Sequence, residues 1–182
     1  HNRSPIEIRQ EFGLKQNQRI IGEVGRLCEI KGQHILIRAA QKVIKNNPNT
    51  VFMIVGEDLE KKGEYKKELE SLARDLGIRQ QVIFTGYCPD IMDLMHAFDL
   101  FVLPSFNEGF GLVSLEAMAA KRAVVTTDSG GNTEVVIDGK TGTIVPTKDP
   151  DKLAEAIIYH LKNPEISKRM GEEGYARVRQ CF

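Results

Sequence analysis

Six short apolar runs recur between stretches of helical spacing, and this rhythm limits the fold more than any other feature. The runs are Ile20–Val24, Val51–Val55, Val82–Phe84, Leu100–Leu103, Ala123–Thr126 and Thr143–Val145. Strands that are apolar on successive residues bury both faces, as in a parallel sheet with helices on each side. The intervening stretches Ile35–Ile44, Tyr65–Leu76, Ile91–Phe98 and Val113–Ala120 read as helices. In the first of them Ile35, Leu36, Ala39, Ala40 and Val43 fall on one face of a 3.6-residue period. Two further helical runs, Asp151–Leu161 and Pro164–Arg179, close the chain, and Pro150 marks the start of the first. The expectation is an α/β domain with a doubly wound parallel sheet flanked by helices, covering residues 1–182. Its ligands belong beyond the carboxyl ends of the strands.

The chain has 182 residues, enough for one sizeable core. Hydrophobic content of 41% and charged content of 27% are those of an ordinary globular protein. With a formal net charge of zero and no basic block, nothing marks a nucleic-acid binder. No apolar run approaches the roughly 18 residues of a membrane span, and no stretch reads as a signal peptide. Cys28, Cys88 and Cys181 are odd in number and widely spaced, which suggests reduced thiols in a cytosolic setting. The four histidines lack zinc-type spacing. A helix-like segment from Pro5 to Phe12 opens the chain and Cys181-Phe182 ends it directly after a helix, as expected of a segment cut from a longer protein.

The run Leu100–Leu103 leads through Pro104, Ser105, Phe106 and Asn107 to Glu108, Gly109, Phe110 and Gly111, then into a helix carrying Leu112 and Glu116. A strand, a glycine-bearing turn and a helix make a phosphate-binding arrangement. The N–H groups of the first turn have no partner inside the helix, and the dipole favours an anion there. Gly109 and Gly111 lack the Cβ that holds a ligand off the backbone. Glu108 precedes the helix and Glu116 is expected about two turns into it. Such a site suits a phosphorylated ligand with hydroxyls to be gripped, such as a nucleotide sugar. The plain alternative is turn chemistry beside a solvated helix face.

Four other turns carry polar or glycine residues. Gly25, Arg26 and Lys31 follow the first run, and two cations at that sheet edge can neutralise a diphosphate. Gly56, Glu57 and Asp58 follow the second, ahead of a charged stretch that reads as a solvated face. Gly86 and Tyr87 follow the third, either beside a nucleotide base or simply ahead of a helix cap at Asp90. Gly130 and Gly131 follow the fifth with their N–H groups open to a ligand, and Glu134 nearby could support a helix start.

Taken in order, these residues resemble the C-terminal, donor-binding domain of the large group 1 (family 4) retaining glycosyltransferases of the GT-B fold. The resemblance rests on Gly25-Arg26-Leu27 with Lys31-Gly32, Ile54-Val55-Gly56, Phe84-Thr85-Gly86, Pro104-Ser105 and Glu108-Gly109-Phe110-Gly111. It continues through Leu115-Glu116-Ala117-Met118-Ala119, Gly130-Gly131 with Glu134, and Asp138-Gly139 with Thr141-Gly142. It implies a Rossmann-like half of a GT-B enzyme that binds a nucleotide-sugar donor, with Glu108, Arg26 and Lys31 in the catalytic machinery. Arg26 and Lys31 would take the diphosphate. Glu108 and the backbone of Phe110 and Gly111 would take the sugar, and Glu116 the ribose. Gly86 and Tyr87 would border the base, with Gly25, Gly109 and Leu112 completing the donor site.

The resemblance also implies no metal cofactor, because Arg and Lys do that work. It implies a carbohydrate or lipid-linked acceptor held by an N-terminal domain outside this chain, and a cytoplasmic enzyme. Lys121 and Ala123 depart from the family's Gly and Pro, and Thr133 stands where Pro is common. A glycoside hydrolase using Glu108 and Glu116 fits poorly, since its carboxyls must stand roughly 5–10 Å apart across a scissile bond. A nucleotide-sugar epimerase and a non-catalytic nucleotide-sugar-binding module are the remaining alternatives.

Overall fold

The structure is a computed structural model describing residues 3–182. Its six strands are β1 (Arg19–Val24), β2 (Thr50–Val55), β3 (Val82–Gly86), β4 (Leu100–Leu103), β5 (Val124–Thr127) and β6 (Gly142–Val145). They form one sheet in the order β3-β2-β1-β4-β5-β6, every neighbouring pair parallel. The order reverses between β1 and β4, where Ile21 faces Leu100. A crevice opens at such a reversal, because the connections from the two strands leave in opposite directions.

Among the described residues eight helices cover the sheet: α1 (Pro5–Glu11), α2 (Gln33–Asn46), α3 (Glu64–Asp75), α4 (Ile91–Ala97), α5 (Leu112–Ala119), α6 (Asn132–Val135), α7 (Pro150–Lys162) and α8 (Pro164–Cys181). Successive strand residues point to opposite faces. Thus Ile21, Phe52, Ile54, Leu100 and Val102 pack with Leu36 and Val43 of α2, Leu69 of α3 and Ile157 of α7. Ile20, Met53, Val55, Phe101 and Leu103 pack on the other side with Ile8 of α1, Leu94 of α4 and Met118 of α5. The doubly wound sheet expected from the continuous apolar runs is therefore present. No described helix is long and apolar enough to cross a membrane.

Local chemistry starts and stops the helices where the sequence signals it. Ser4 and Glu7 form a capping box on α1, and the Asp149 carboxylate accepts the N–H groups of Asp151 and Lys152 ahead of α7. Lys121, standing where a glycine is usual, takes the left-handed conformation with φ 58°. Gly171 of α8 leaves room for it: a Cβ there would lie 2.2 Å from the Lys121 carbonyl oxygen. The helix start expected around Glu134 is present as the single turn α6, while the 3-10 turns at Glu29–Lys31 and Arg79–Gln81 have no counterpart in the sequence reading, being too short to show a period.

Candidate functional site

The turns after β1 and β4 meet above the strand-order reversal. The Phe106 N–H donates to the Ile30 carbonyl at 2.8 Å, joining the two turns through their backbones. Gly32 sits at φ 72°, and a Cβ on it would lie 2.1 Å from the Pro104 carbonyl oxygen, so only glycine admits this approach. Held this way, Lys31 Nζ donates to Glu108 Oε2 at 2.7 Å, and the side chains are only 18% and 13% exposed. A cation and an anion from opposite sides of the crevice thus share one partly dry pocket.

Gly109, Phe110 and Gly111 carry the chain from Glu108 into α5, whose N-cap is Gly111 at φ 75°. Glycine is required at this cap for a second reason, since a Cβ would lie 2.9 Å from Asn132 Oδ1. Phe110 and Leu112 are exposed, and the Phe110 ring stands edge-on to Phe182, 5.8 Å between centroids. Glu116 is the fifth residue of α5, so it lies just over one turn in rather than two. Its side chain is exposed, yet burial by neighbouring chain raises its carboxyl above the usual range.

Gly130 and Gly131 pack closely against the Glu108 turn, and the Gly131 N–H expected to be open has a backbone partner. The Gly131 N–H donates to the Glu108 carbonyl at 2.9 Å. A Cβ on Gly130 would lie 2.0 Å from that same oxygen, and one on Gly131 would lie 2.4 Å from the Gly109 oxygen. The turn after β5 is therefore a floor for the Glu108 turn. Beneath it, the Ser105 carbonyl accepts from Thr127 Oγ1 and, at 2.9 Å, from Ser129 Oγ.

Along the same sheet edge, Gly25 follows β1, Gly56 follows β2, and β3 ends at Gly86. The Gly56 N–H donates to the Gly86 carbonyl at 2.9 Å, and a Cβ on Gly56 would lie 2.0 Å from the Gly25 oxygen. Gly25 and Gly86 thus line one edge, followed by Tyr87, which is 71% exposed. Arg26 lies apart from the Lys31–Glu108 pair. Its Nη1 donates to Glu60 Oε1 at 2.8 Å, and both side chains are about 60% exposed. A pair that wet contributes about 0–1 kcal/mol, so Arg26 is readily released to another anion. It also borders a cavity of about 450 Å³ shared with Cys28, Ile30, Lys61 and Tyr65. Another cavity, of about 330 Å³ between Arg19, Lys121, Arg122 and Lys168, lies at the opposite ends of the strands. Parallel sheets seat their ligands at the other edge.

Two residues that the sequence reading passed over belong to this site. Glu23 of β1 is fully buried, and Gln33, the first residue of α2, is buried beside it. Gln33 Nε2 donates to Glu23 Oε1 at 3.2 Å and to the Arg26 carbonyl at 2.9 Å. Burial pushes the Glu23 carboxyl well above the usual range, and Glu108 adds to this while Gln33 and Lys31 oppose it. The signal was a glutamate inside an otherwise apolar strand.

The family model for group 1 glycosyl transferases matches residues 5–177. The D-inositol 3-phosphate glycosyltransferase of Corynebacterium urealyticum is 37% identical over 178 residues, covering 93% of this chain and 41% of that protein. HepE of Anabaena, solved with UDP and glucose, superposes with a TM-score of 0.92 at 32% identity, covering 98% of this chain and 48% of HepE. It has also been solved with UDP-glucose. A C-terminal domain of a group 1 glycosyl transferase from Francisella tularensis superposes with a TM-score of 0.86 at 30% identity, covering 94% of this chain and 89% of that one. The chain therefore spans less than half of the first two relatives, but nearly all of a C-terminal domain solved by itself.

Proposed function

This chain belongs to the group 1 glycosyl transferases, and on that premise we propose that it is the donor-binding half of a retaining enzyme that moves a hexose from a nucleotide sugar. The acceptor, a carbohydrate or a lipid-linked molecule, comes from an N-terminal domain outside this chain. The observation that carries the reading is the 2.7 Å pair of Lys31 and Glu108 across the crevice between β1 and β4. A donor diphosphate gives the Lys31 ammonium a doubly charged partner in place of one carboxylate. Lys31 turns to the phosphates, and Glu108 is released to accept hydroxyls of the transferred sugar.

Arg26 leaves its exposed partner and closes a planar fork on the same phosphates. As the glycosidic bond breaks, negative charge builds on the leaving diphosphate. Two cations already in place stabilise that charge more than they stabilise the intact donor, which lowers the barrier. The exposed N-terminus of α5 adds N–H groups toward the sugar and phosphate, and Glu116 takes the ribose hydroxyls. Tyr87 and Gly86 border the base. No metal is required in this scheme, because Arg26 and Lys31 supply the positive charge.

Calorimetry of this chain with UDP-, GDP- and ADP-sugars in EDTA tests the proposal. Binding of at least one donor without turnover is expected, while a strict requirement for Mg²⁺ or Mn²⁺ contradicts the metal-free scheme.

A further inference from the structure

Glu23 occupies a position that simple burial does not explain. It projects from the central strand β1 with no exposed surface, and its Oε2 has no hydrogen-bond partner among the described residues. The Gln33 amide bonds its Oε1, yet Gln33 Oε1 is itself buried without a partner. An ionised Glu23 therefore leaves two stranded acceptors on two side chains that already touch. Each stranded buried acceptor costs about 1–3 kcal/mol. A proton on Glu23 turns one of the two into a donor, complementary to the acceptor on the side chain it touches. A carboxylic acid and a primary amide are complementary in this sense, since each offers one donor and one acceptor side by side.

The pair lies directly under the turn that faces the phosphates. The same Gln33 Nε2 holds the Arg26 carbonyl. A Cβ on Gly25 would lie 3.0 Å from Glu23 Oε1 and 3.7 Å from Cγ and Cδ of Lys31, so the Glu23 carboxyl and the Lys31 stem converge on Gly25. We propose that Glu23 is a positioning residue of the donor phosphate site: as the neutral acid it pairs with the Gln33 amide, and the pair fixes the turn from Gly25 to Lys31 without placing a negative charge beneath it. The inference rests on the donor reading given above.

The charged and titratable groups around Glu23 fit that role. Lys31 comes from the 3-10 turn after β1 and Glu108 from the turn after β4, while Tyr65 of α3 is buried nearby with its hydroxyl 2.9 Å from His34 Nδ1. With Lys31 paired to Glu108, a second carboxylate at Glu23 would leave the trio with a net negative charge where a diphosphate must arrive. Burial holds the carboxyl far above its usual range, in keeping with the neutral form. Ionisation in alkali then repels the donor and loosens the turn.

Two measurements test this. The first is a pH titration of ¹³C-labelled glutamate carboxyls in the ligand-free chain, with Glu23 assigned from its absence in Glu23→Gln. A protonated Glu23 carbon at pH 7 is expected, and an ionised one overturns the inference. The second is nucleotide-sugar affinity, probed with UDP-, GDP- and ADP-glucose, whose diphosphate diesters do not titrate near neutrality. Glu23→Ala is expected to weaken binding about ten-fold, one hydrogen-bonded partner's worth. Glu23→Gln is expected to restore most of it. Wild-type affinity should fall as the Glu23 carbon ionises, while the Gln variant shows no such fall. A Gln variant as weak as Ala, or a wild-type profile that stays flat through the ionisation, overturns the positioning role. If the wild type binds no nucleotide sugar at any pH, the donor reading fails and the positioning role falls with it. The carboxyl titration distinguishes that failure from an ionised Glu23.

Discussion

Lys31 and Glu108, 77 positions apart in sequence, meet at 2.7 Å across the crevice where the strand order reverses. Each side chain is engaged by the other, so each donor contact proposed for one of them begins with breaking this pair. Replacing Lys31 with Ala removes a charge-assisted bond to phosphate, worth about 1.5–3 kcal/mol. Nucleoside diphosphate and nucleotide sugar should both weaken by about ten-fold or more in calorimetry. Arg26→Ala should do the same with almost no loss of folding stability, since its present partner Glu60 is exposed. Equal affinity of wild type and Arg26→Ala for a nucleoside diphosphate would remove Arg26 from the site.

The two glutamates should separate. Glu108→Ala removes the group proposed for the sugar and frees Lys31 from a competing carboxylate. Plain nucleoside diphosphate should bind no more weakly than to wild type, while the nucleotide sugar loses affinity. Glu116→Ala should weaken both ligands alike, because both carry the ribose. Equal damage to plain nucleotide binding from the two variants contradicts this division.

The floor beneath Glu108 gives a third expectation. Gly130→Ala places a Cβ 2.0 Å from the Glu108 carbonyl oxygen at a left-handed position, φ 50°. Thermal unfolding should show a loss of about 2 kcal/mol or more, in the range of overpacked or strained sites. Sugar binding should suffer beyond that loss, because the Glu108 turn has to move. A variant with unchanged Tm and donor affinity would show that the turn after β5 does not support Glu108.

His160 of α7 sets an acid limit. It is buried between Thr143 Oγ1 and Ser167 Oγ, at 2.9 and 2.8 Å, and burial lowers its pKa to about 4 from 6.5. Between those values the unfolded chain binds the proton and the folded one does not. The stability contribution is therefore full above pH 6.5 and is lost as pH falls toward about 4. The slope amounts to about 3 kcal/mol across the window, at roughly 1.4 kcal/mol per unit. Denaturant unfolding of His160→Gln should lack that slope, and a variant with the wild-type slope would assign it elsewhere.

The sheet was legible because burial on both faces is written directly into Ile20–Val24, Val51–Val55 and Leu100–Leu103. Glu108 and Lys31 were legible as candidate site residues because each stands beside glycine in the turn that leaves a strand's carboxyl end. Their pairing was not, since nothing local links positions so far apart in the chain. The packing role of Gly130 and Gly131 was hidden for a related reason: consecutive glycines look the same whether they yield to a ligand or to another turn's backbone. Glu23 was passed over because a strand's apolar average conceals one buried carboxyl. Its partner Gln33 reads as an ordinary first residue of a helix.

The central claim, a donor seated over the β1–β4 crevice, is tested most directly by amide chemical-shift mapping of this chain with a nucleotide sugar in EDTA. The largest shifts are expected at Gly25, Lys31, Gly86, Glu108 to Leu112 and Glu116. Shifts confined to Arg19, Arg122 and Lys168, around the cavity at the opposite ends of the strands, would contradict it.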